Sequence, residues 1–210
     1  MVKVDLHVHS SASFDATAEP EQVAARCRQL GLAPVFLTDH NSVDGALSLL
    51  AAGPVVIGEE ILTTGGELIG LFLKELVPAG LSPKETALAI KSQGGLVYLE
   101  HPYDQSRLHL KEDAIEAIAD LVDIVEVFNG RSGQKANRRA ADLCATLGAA
   151  PGAGSDAHTV AEIGSVFVEM EDFDGGQDFL AKLHEAKIVI GRSKLLLTAE
   201  AKLGSKMRGR

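Results

Sequence analysis

The 210-residue sequence lacks any apolar run that approaches the roughly 18 residues of a membrane-spanning helix. Its first residues lead directly into Lys3 and Asp5 and contain no signal-like apolar region. Cysteine is scarce, since Cys27 and Cys144 are far apart and form no Cys-x-x-Cys motif. These absences argue against a membrane protein, a disulfide framework and a structural zinc site built on thiolates. We therefore expect a cytoplasmic protein whose two cysteines fill the core.

Positive charge is also in deficit, with 20 lysines and arginines against 29 acidic residues and a formal net charge of −9. Binding to duplex nucleic acid needs a positive surface that displaces counterions, so this class of partner is disfavoured. A small phosphorylated substrate stays compatible, because bound divalent cations would reverse the local field at a site rich in carboxylates.

The composition is that of an ordinary globular protein, with 46% hydrophobic and 23% charged residues. Short apolar runs alternate with helical segments of about ten residues, and this alternation predicts a parallel α/β sheet. We expect one domain over residues 1–198, followed by a basic tail at 199–210. A disordered, solvated terminus is the expectation for that tail, and contact with a nucleic-acid substrate is the alternative.

The motif Asp5-Leu6-His7-Val8-His9 stands at the centre of the predicted site. Side chains alternate along a strand, so Asp5, His7 and His9 share one face. Two imidazoles buried beside a carboxylate need a partner that satisfies them, and a divalent cation is the simplest one. The alternative is a hydrogen-bonded histidine pair in a polar core, because His-x-His alone is short and common.

Metal-competent and charged side chains recur at or just after the C-terminal ends of the predicted strands. They are His9, His40, Glu60, His101, Arg131, Asp156 and His158. In parallel α/β folds this edge carries the chemistry, and in a barrel the strand ends converge on one mouth. Imidazole mixed with carboxylate, without thiolate, is typical of catalytic transition-metal sites. His109 and His184 fall outside the pattern and are expected at the surface.

Five motifs in this order resemble those of the PHP (polymerase and histidinol phosphatase) superfamily. They are Asp-Leu-His-Val-His-Ser at residues 5–10, Thr-Asp-His-Asn at 38–41, Gly-Glu-Glu at 58–60, His-Pro at 101–102 and Gly-Ser-Asp-Ala-His at 154–158. The resemblance implies a distorted (β/α)7 TIM-like barrel. It also implies a two- or three-metal site at the C-terminal mouth and a phosphoesterase activity that uses manganese, iron or zinc.

Carried over position by position, the resemblance implies ligands for up to three metal ions. His7, His9, Glu60 and Asp156 match the ligands of the first ion. Glu60 would bridge to a second ion that also binds His101. Glu59 is the alternative for the residue that bridges the two ions, although the Gly-x-Glu spacing favours Glu60.

Asp15, His40 and His158 match the ligands of a third ion. A turn or cap role is the alternative for Asp15, which lies in a predicted loop. Where the family commonly has a histidine shortly after the bridging glutamate, this sequence has Glu67. A carboxylate ligand at that position would favour manganese or iron over zinc. A solvated turn residue is the alternative for Glu67.

Phosphoester hydrolysis also requires a cation for the charge on the phosphoryl oxygens. Arg131 is the first candidate, with a surface salt bridge as the alternative, and His158 is the second catalytic candidate. Arg107 and Arg138 are weaker candidates of the same kind, and exposed charges are the better explanation for both.

Asp5 and Asp39 each neighbour a predicted ligand histidine and are candidates for the acceptor that fixes an imidazole tautomer. Alternation along the strand places Asp5 on the same side as His7, whereas the sequence does not decide the case of Asp39.

The favoured function is metal-dependent hydrolysis of a phosphoester in a small phosphorylated metabolite or a nucleotide, by metal-activated hydroxide. Single-stranded oligonucleotide ends are a further substrate class. One alternative is an amidohydrolase-type barrel that cleaves amides or lactones, which also opens with His-x-His. The other is a metal-binding regulatory module without turnover.

Overall fold

The computed structural model describes residues 1–191, in which strands and helices alternate along the chain. The strands are β1 (Val2–Val4), β2 (Val35–Leu37), β3 (Val55–Thr63), β4 (Gly66–Leu71), β5 (Leu96–Leu99), β6 (Ile124–Asn129), β7 (Ala150–Gly154), β8 (Val166–Met170) and β9 (Lys187–Ile190). The helices are α1 (Pro20–Leu30), α2 (Asp44–Leu49), α3 (Pro83–Ser92), α4 (Glu112–Ala117), α5 (Gln134–Leu147) and α6 (Gly175–Leu183). The predicted tail at 199–210 and the domain boundary at 198 lie outside the described residues.

Local sequence signals explain where the longer helices begin and end. Helix α3 starts with a capping box, in which Ser82 accepts a hydrogen bond from the Glu85 backbone while the Glu85 side chain accepts one from the Ser82 backbone. Helix α1 has proline in its first turn and ends at Gly31, whose φ of 70° is the left-handed conformation that glycine adopts without strain. These residues account for the boundaries of both helices.

The larger sheet has the strand order β2-β3-β4-β5-β6-β7. Strand β4 runs antiparallel to both neighbours, whereas the other pairs are parallel. The predicted parallel sheet is therefore wrong at β4. Thr63 pairs with Gly66, so a two-residue turn returns the chain as a hairpin and leaves no room for a crossover helix. Strand β3 also extends past its predicted end, and Glu60 lies inside it.

The smaller sheet consists of β1, β8 and β9, all antiparallel. Past β1, residues 5–9 lie between the two edges of the larger sheet. Val8 forms a parallel bridge with Ala157 beyond β7, and its carbonyl accepts a hydrogen bond from the backbone of Thr38 beyond β2. The chain thus has an α/β fold with a curled, half-barrel sheet, which confirms the predicted fold class at that level.

Apolar side chains from both sheets and from α6 form the inner core. Leu6, Tyr98, Val168 and Phe179 are fully buried members of it. Two further apolar clusters pack the outer sheet face against α1 and α2 and against α3, α4 and α5. Both cysteines lie in these outer clusters, as predicted. Within residues 1–191, no helix has the length and apolarity to cross a membrane.

Candidate metal centre

The structure brings together all nine side chains that the sequence predicted as metal ligands, and they meet at the mouth of the curled sheet. They are His7, His9, Asp15, His40, Glu60, Glu67, His101, Asp156 and His158. Each comes from a different strand or loop, apart from the His7–His9 and Asp156–His158 pairs. Their placement side by side supports the predicted ligand set, and their roles as ligands stay predictions.

Four of these side chains direct atoms at one point. His7 Nε2 lies 3.1 Å from His9 Nε2 and 3.3 Å from Glu60 Oε2, and His9 Nε2 lies 3.2 Å from the same oxygen. Asp156 Oδ1 lies 3.8 Å from His7 Nε2 and 3.6 Å from His9 Nε2. All four side chains are buried. This set matches the one expected for the first ion.

The hydrogen bonds behind the two imidazoles assign their tautomers. Glu126 Oε1 lies 3.1 Å from His7 Nδ1, and a carboxylate accepts, so that nitrogen carries the proton. Ser13 donates its hydroxyl proton to Asp39 and lies 3.2 Å from His9 Nδ1, so it accepts from that nitrogen. In the neutral imidazoles, both Nε2 atoms therefore present lone pairs to the centre of the group.

Lone pairs and carboxylate oxygens that converge at these distances would be stabilised by a cation between them. One proton would bridge a single pair of atoms and leave the others facing each other. Asp156 Oδ1 is buried and has no hydrogen-bond donor within residues 1–191. A divalent cation would satisfy all four atoms at once, and the mixed imidazole and carboxylate donors suit manganese, iron or zinc.

The pKa values of two side chains in this group are shifted in the directions that bring positive charge next to the carboxylates. Burial lowers the pKa of His7, but the carboxylates of Asp156, Glu126 and Glu60 outweigh it and hold that pKa well above its usual value. Burial would raise the pKa of Asp156, yet His7 and then Arg107 lower it to about 2. The centre therefore holds strongly negative carboxylates that attract a cation.

The other predicted ligands form two further groups around Glu60. His101 Nε2 lies 3.1 Å from Glu60 Oε1, so the two oxygens of Glu60 face different groups, as a bridging carboxylate does. On the outer side, Asp15 Oδ2 lies 3.1 Å from His158 Nε2 and 3.6 Å from His40 Nε2. This arrangement agrees with the second and third ligand sets expected from the sequence.

Glu67 lies in β4 and is buried, so the alternative of a solvated turn residue is wrong. Its Oε1 is 3.5 Å from His40 Nδ1, close enough to share an ion with His40 and Glu60. Burial, and then the nearby Glu60 carboxylate, raise the pKa of Glu67 to about 7. The hairpin that the sequence did not predict is what turns Glu67 towards the site.

Two arginines reach the same centre. Arg107 forms an ion pair with Asp156, so its prediction as an exposed charge is wrong. The loop that follows β5 folds over the mouth and carries the guanidinium inward. Arg131 contacts His158 Nδ1 and the backbone carbonyl of Asp156. Arg138 is exposed, as predicted.

Glu126 is a functional residue that the sequence prediction missed. It is fully buried in β6, and its carboxylate accepts hydrogen bonds from His7 Nδ1, the Tyr98 hydroxyl, the His101 backbone and the Asn129 amide. The signal that would have revealed it is a single carboxylate in the apolar strand β6, where an unpaired charge is costly.

The two aspartates expected behind the histidines differ in outcome. Asp5 is wrong as the acceptor for the His7 ring, because it accepts from the backbones of His7, Ser155 and Gly164 and from the Ser155 hydroxyl. It ties the first segment to the chain beyond β7. Asp39 acts on His9 indirectly, through Ser13.

His109 was predicted at the surface, and that prediction is wrong. Its backbone bridges to Glu67, and its Nδ1 lies 3.1 Å from the Arg107 carbonyl, so the loop after β5 buries it against β4. His184 is exposed, as predicted.

Two site residues have positive φ angles, which non-glycine residues seldom adopt. His101 has a φ of 27° and Asp156 a φ of 55°. Such conformations persist only where the surroundings enforce them, and they cluster at functional sites. Each turns its side chain towards Glu60 directly after a strand ends.

An open cavity of about 360 Å³ lies over the centre, which is within the size range of small-molecule sites. Its lining residues are Phe14, Asp15, His40, Glu60, Glu67, His101, Ser106, Arg107, Leu108, Arg131 and His158. The cavity therefore combines the predicted ligands with both arginines.

Two family models match the sequence. The model of the PHP domain matches residues 5–71, and a model described as PHP-associated matches residues 134–188. Together these matches include eight of the nine predicted ligands. His101, which lies between the two matched ranges, is the ninth.

Two proteins of Methanocaldococcus jannaschii, both described as uncharacterised, are similar in sequence. MJ1587 is 40% identical over 144 residues, which are 61% of this chain and 82% of that protein. MJ0417 is 35% identical over 178 residues, which are 82% of this chain and 72% of that protein.

Solved structures share the fold. A two-domain protein of Bacteroides vulgatus that contains a predicted PHP-like metal-dependent phosphoesterase matches with a TM-score of 0.70 at 18% identity, over 91% of this chain and 65% of that one. A Bifidobacterium adolescentis protein that is predicted to be a metal-dependent phosphoesterase matches with a TM-score of 0.57 at 18% identity, over 73% of this chain and 87% of that one. An amidohydrolase of Chromobacterium violaceum, solved with sulfate and without metal, matches with a TM-score of 0.60 at 17% identity, over 74% of this chain and 87% of that one.

Proposed function

Because the chain belongs to the PHP family, we propose that it is a metal-dependent phosphoesterase that hydrolyses a small phosphorylated metabolite or a nucleotide. The observation that carries the proposal is the convergence of His7, His9, Glu60 and Asp156 on one point beneath a cavity that two arginines line. We also propose that the curled sheet corresponds to the distorted (β/α)7 barrel expected of the family, with the metal site at its mouth.

The residues that surround the centre suit two or three divalent ions. When bound, manganese, iron or zinc would activate the attacking water and neutralise charge on the phosphoryl group. Glu126 and Ser13 keep the His7 and His9 rings oriented with their Nε2 atoms towards the centre. Asp15, His40 and His158 provide ligand atoms for an ion on the outer side, nearest the solvent.

The arginines bind and orient the phosphoryl group in this proposal. Arg131 lies beside His158, and its side chain is 39% exposed, so it is accessible to a ligand. Arg107 is held by Asp156 and Asp104, which fixes its guanidinium before the substrate arrives. Donors that are already positioned stabilise developing charge without reorganisation. His158, which contacts Arg131, is the second catalytic residue in this proposal.

Two other functions compete with this one. One is cleavage of an amide or lactone, but the likeness to an amidohydrolase structure, at 17% identity, shows the fold alone. A metal-binding module without turnover would keep the same ligands. Both alternatives lack a reason for two arginines in the cavity, whereas a phosphoester supplies one.

The decisive experiment measures phosphate release from p-nitrophenyl phosphate and from a panel of nucleotides and sugar phosphates, with purified protein stripped of metal and reloaded with manganese. We expect hydrolysis that depends on the metal. His7→Ala should abolish it and leave the circular dichroism spectrum unchanged, while the exposed His184→Ala should retain it.

Two results would overturn the proposal. The first is no phosphate release with manganese, iron or zinc, together with turnover of an amide or lactone panel. The second is an undiminished rate in the His7→Ala variant.

A further inference from the structure

Phe14 is an exposed aromatic side chain at the mouth of the cavity. It is 85% exposed, whereas the other six phenylalanines are buried or partly buried. Its ring centroid lies 5.2 Å from that of His40, with a tilt of 32° between the planes. An aromatic ring this exposed contributes little to the folded core, so its position needs another explanation.

The loop that carries Phe14 is held on both sides of it. The Ser13 hydroxyl donates to Asp39, and the Ser13 backbone donates to the Ser10 carbonyl. On the other side, Asp15 Oδ2 lies 3.1 Å from His158 Nε2. The ring therefore projects from a fixed backbone and is preorganised for contact with a ligand.

The composition of the cavity shows what Phe14 adds to it. Of its eleven lining residues, Phe14 and Leu108 are the apolar ones, and the rest are charged, imidazole or hydroxyl side chains. Leu108 is 61% exposed, and its carbonyl accepts a hydrogen bond from the Glu67 backbone. Two fixed, exposed apolar groups thus stand at the rim of a polar cavity.

We infer that Phe14, assisted by Leu108, binds a planar aromatic group on the substrate, such as the base of a nucleoside monophosphate, while the phosphate lies at the metal centre. The inference rests on the proposed phosphoesterase function and narrows its substrate class from phosphorylated metabolites in general to those with an aromatic group. A nucleotide base stacks on an aromatic side chain without needing sequence-specific hydrogen bonds.

The test compares adenosine 5′-monophosphate with ribose 5-phosphate in the manganese-loaded enzyme. Both esters carry phosphate on the same ribose carbon, and they differ in the base. We expect kcat/KM to favour the nucleotide. Phe14→Ala should lower the ratio of kcat/KM for adenosine 5′-monophosphate to kcat/KM for ribose 5-phosphate roughly tenfold. The change should come mainly from a higher KM for the nucleotide, as expected for a lost stacking contact. Phe14→Trp should preserve the ratio.

The exposed Leu50→Ala variant, which lies away from the cavity lining, serves as the matched control and should leave the ratio unchanged. Calorimetric binding of adenosine 5′-monophosphate to wild type and to Phe14→Ala gives a readout without turnover, and the variant should bind roughly tenfold more weakly.

Equal efficiency on both esters in the wild type, or an equal loss on both in Phe14→Ala, would overturn the stacking role. If neither ester is hydrolysed, the proposed function fails, and the calorimetric comparison still decides the stacking role by itself.

Discussion

Glu126 accepts a hydrogen bond from the Nδ1 of His7 over 3.1 Å, although 119 residues separate the two in sequence. The same carboxylate accepts from three other groups, so four donors point into its two oxygens. Such an arrangement suits a carboxylate and not an amide, because an amide has one acceptor atom and would turn its own N–H groups towards two of those donors.

Glu126→Gln should therefore weaken manganese binding roughly 10- to 100-fold, as the loss of an outer partner of a ligand histidine commonly does. Titration calorimetry on metal-free protein measures this directly. The exposed Glu171→Gln removes the same charge far from the centre and should bind manganese like the wild type. Equal affinities in all three proteins would mean that Glu126 does not hold His7 for a metal.

Arg131→Ala should reduce kcat for phosphoester hydrolysis roughly 100-fold, the usual cost of removing one positioned donor to developing charge. Arg138→Ala is the matched control, since Arg138 lies on α5 at the surface and bonds with Gln134. Steady-state kinetics on one substrate, with metal content checked for each protein, separate the two. An Arg131→Ala enzyme as fast as the Arg138→Ala enzyme would place Arg131 in a surface salt bridge.

Manganese should stabilise the fold, because the ion would relieve the repulsion between buried carboxylates. At a free concentration of 100 times Kd, binding adds about 2.7 kcal/mol to the free energy of unfolding. For a protein of this size, that corresponds to a rise in Tm of roughly 5–11 °C. Thermal unfolding followed by circular dichroism, with and without chelator, measures the rise. His9→Ala should show little of it, whereas an identical rise in His9→Ala would locate the ion elsewhere.

Gly154 lies against the first segment of the chain, where a Cβ atom would stand 2.4 Å from the Cβ of His7. Gly154→Ala should therefore cost about 1–3 kcal/mol of stability and displace His7 from the centre. Gly70→Ala crowds apolar side chains, with Ile90 Cγ1 at 3.0 Å, and is the matched control. Both variants should unfold at lower denaturant concentration, but only Gly154→Ala should lose affinity for manganese.

Much of the site was predictable because its residues follow short apolar strands, and strand ends meet at one edge of an α/β sheet. This reasoning placed His40, His101 and Asp156 together without any knowledge of contacts. Helix ends were predictable for a similar reason, since the Ser82 capping box and Gly31 act within a few residues of themselves.

The residues that were missed depend on contacts between distant parts of the chain. Arg107 and His109 lie on a loop whose sequence gives no indication that it folds over β4, and both turn inward. The orientation of Glu67 follows from the hairpin between β3 and β4, which pairs antiparallel within an otherwise parallel arrangement. A sequence pattern describes neighbouring residues, so it does not show which polar side chains a loop from another part of the chain will bury.

Residues 5–9 do more than present His7 and His9. Strands β2 and β7 are the edges of the larger sheet, and this segment hydrogen-bonds to the chain directly beyond each of them. Exposed sheet edges are templates for pairing with other chains. Detachment of this single segment would uncover two such edges at the same moment that it dismantles the metal centre, so inactivation on heating should coincide with the onset of aggregation.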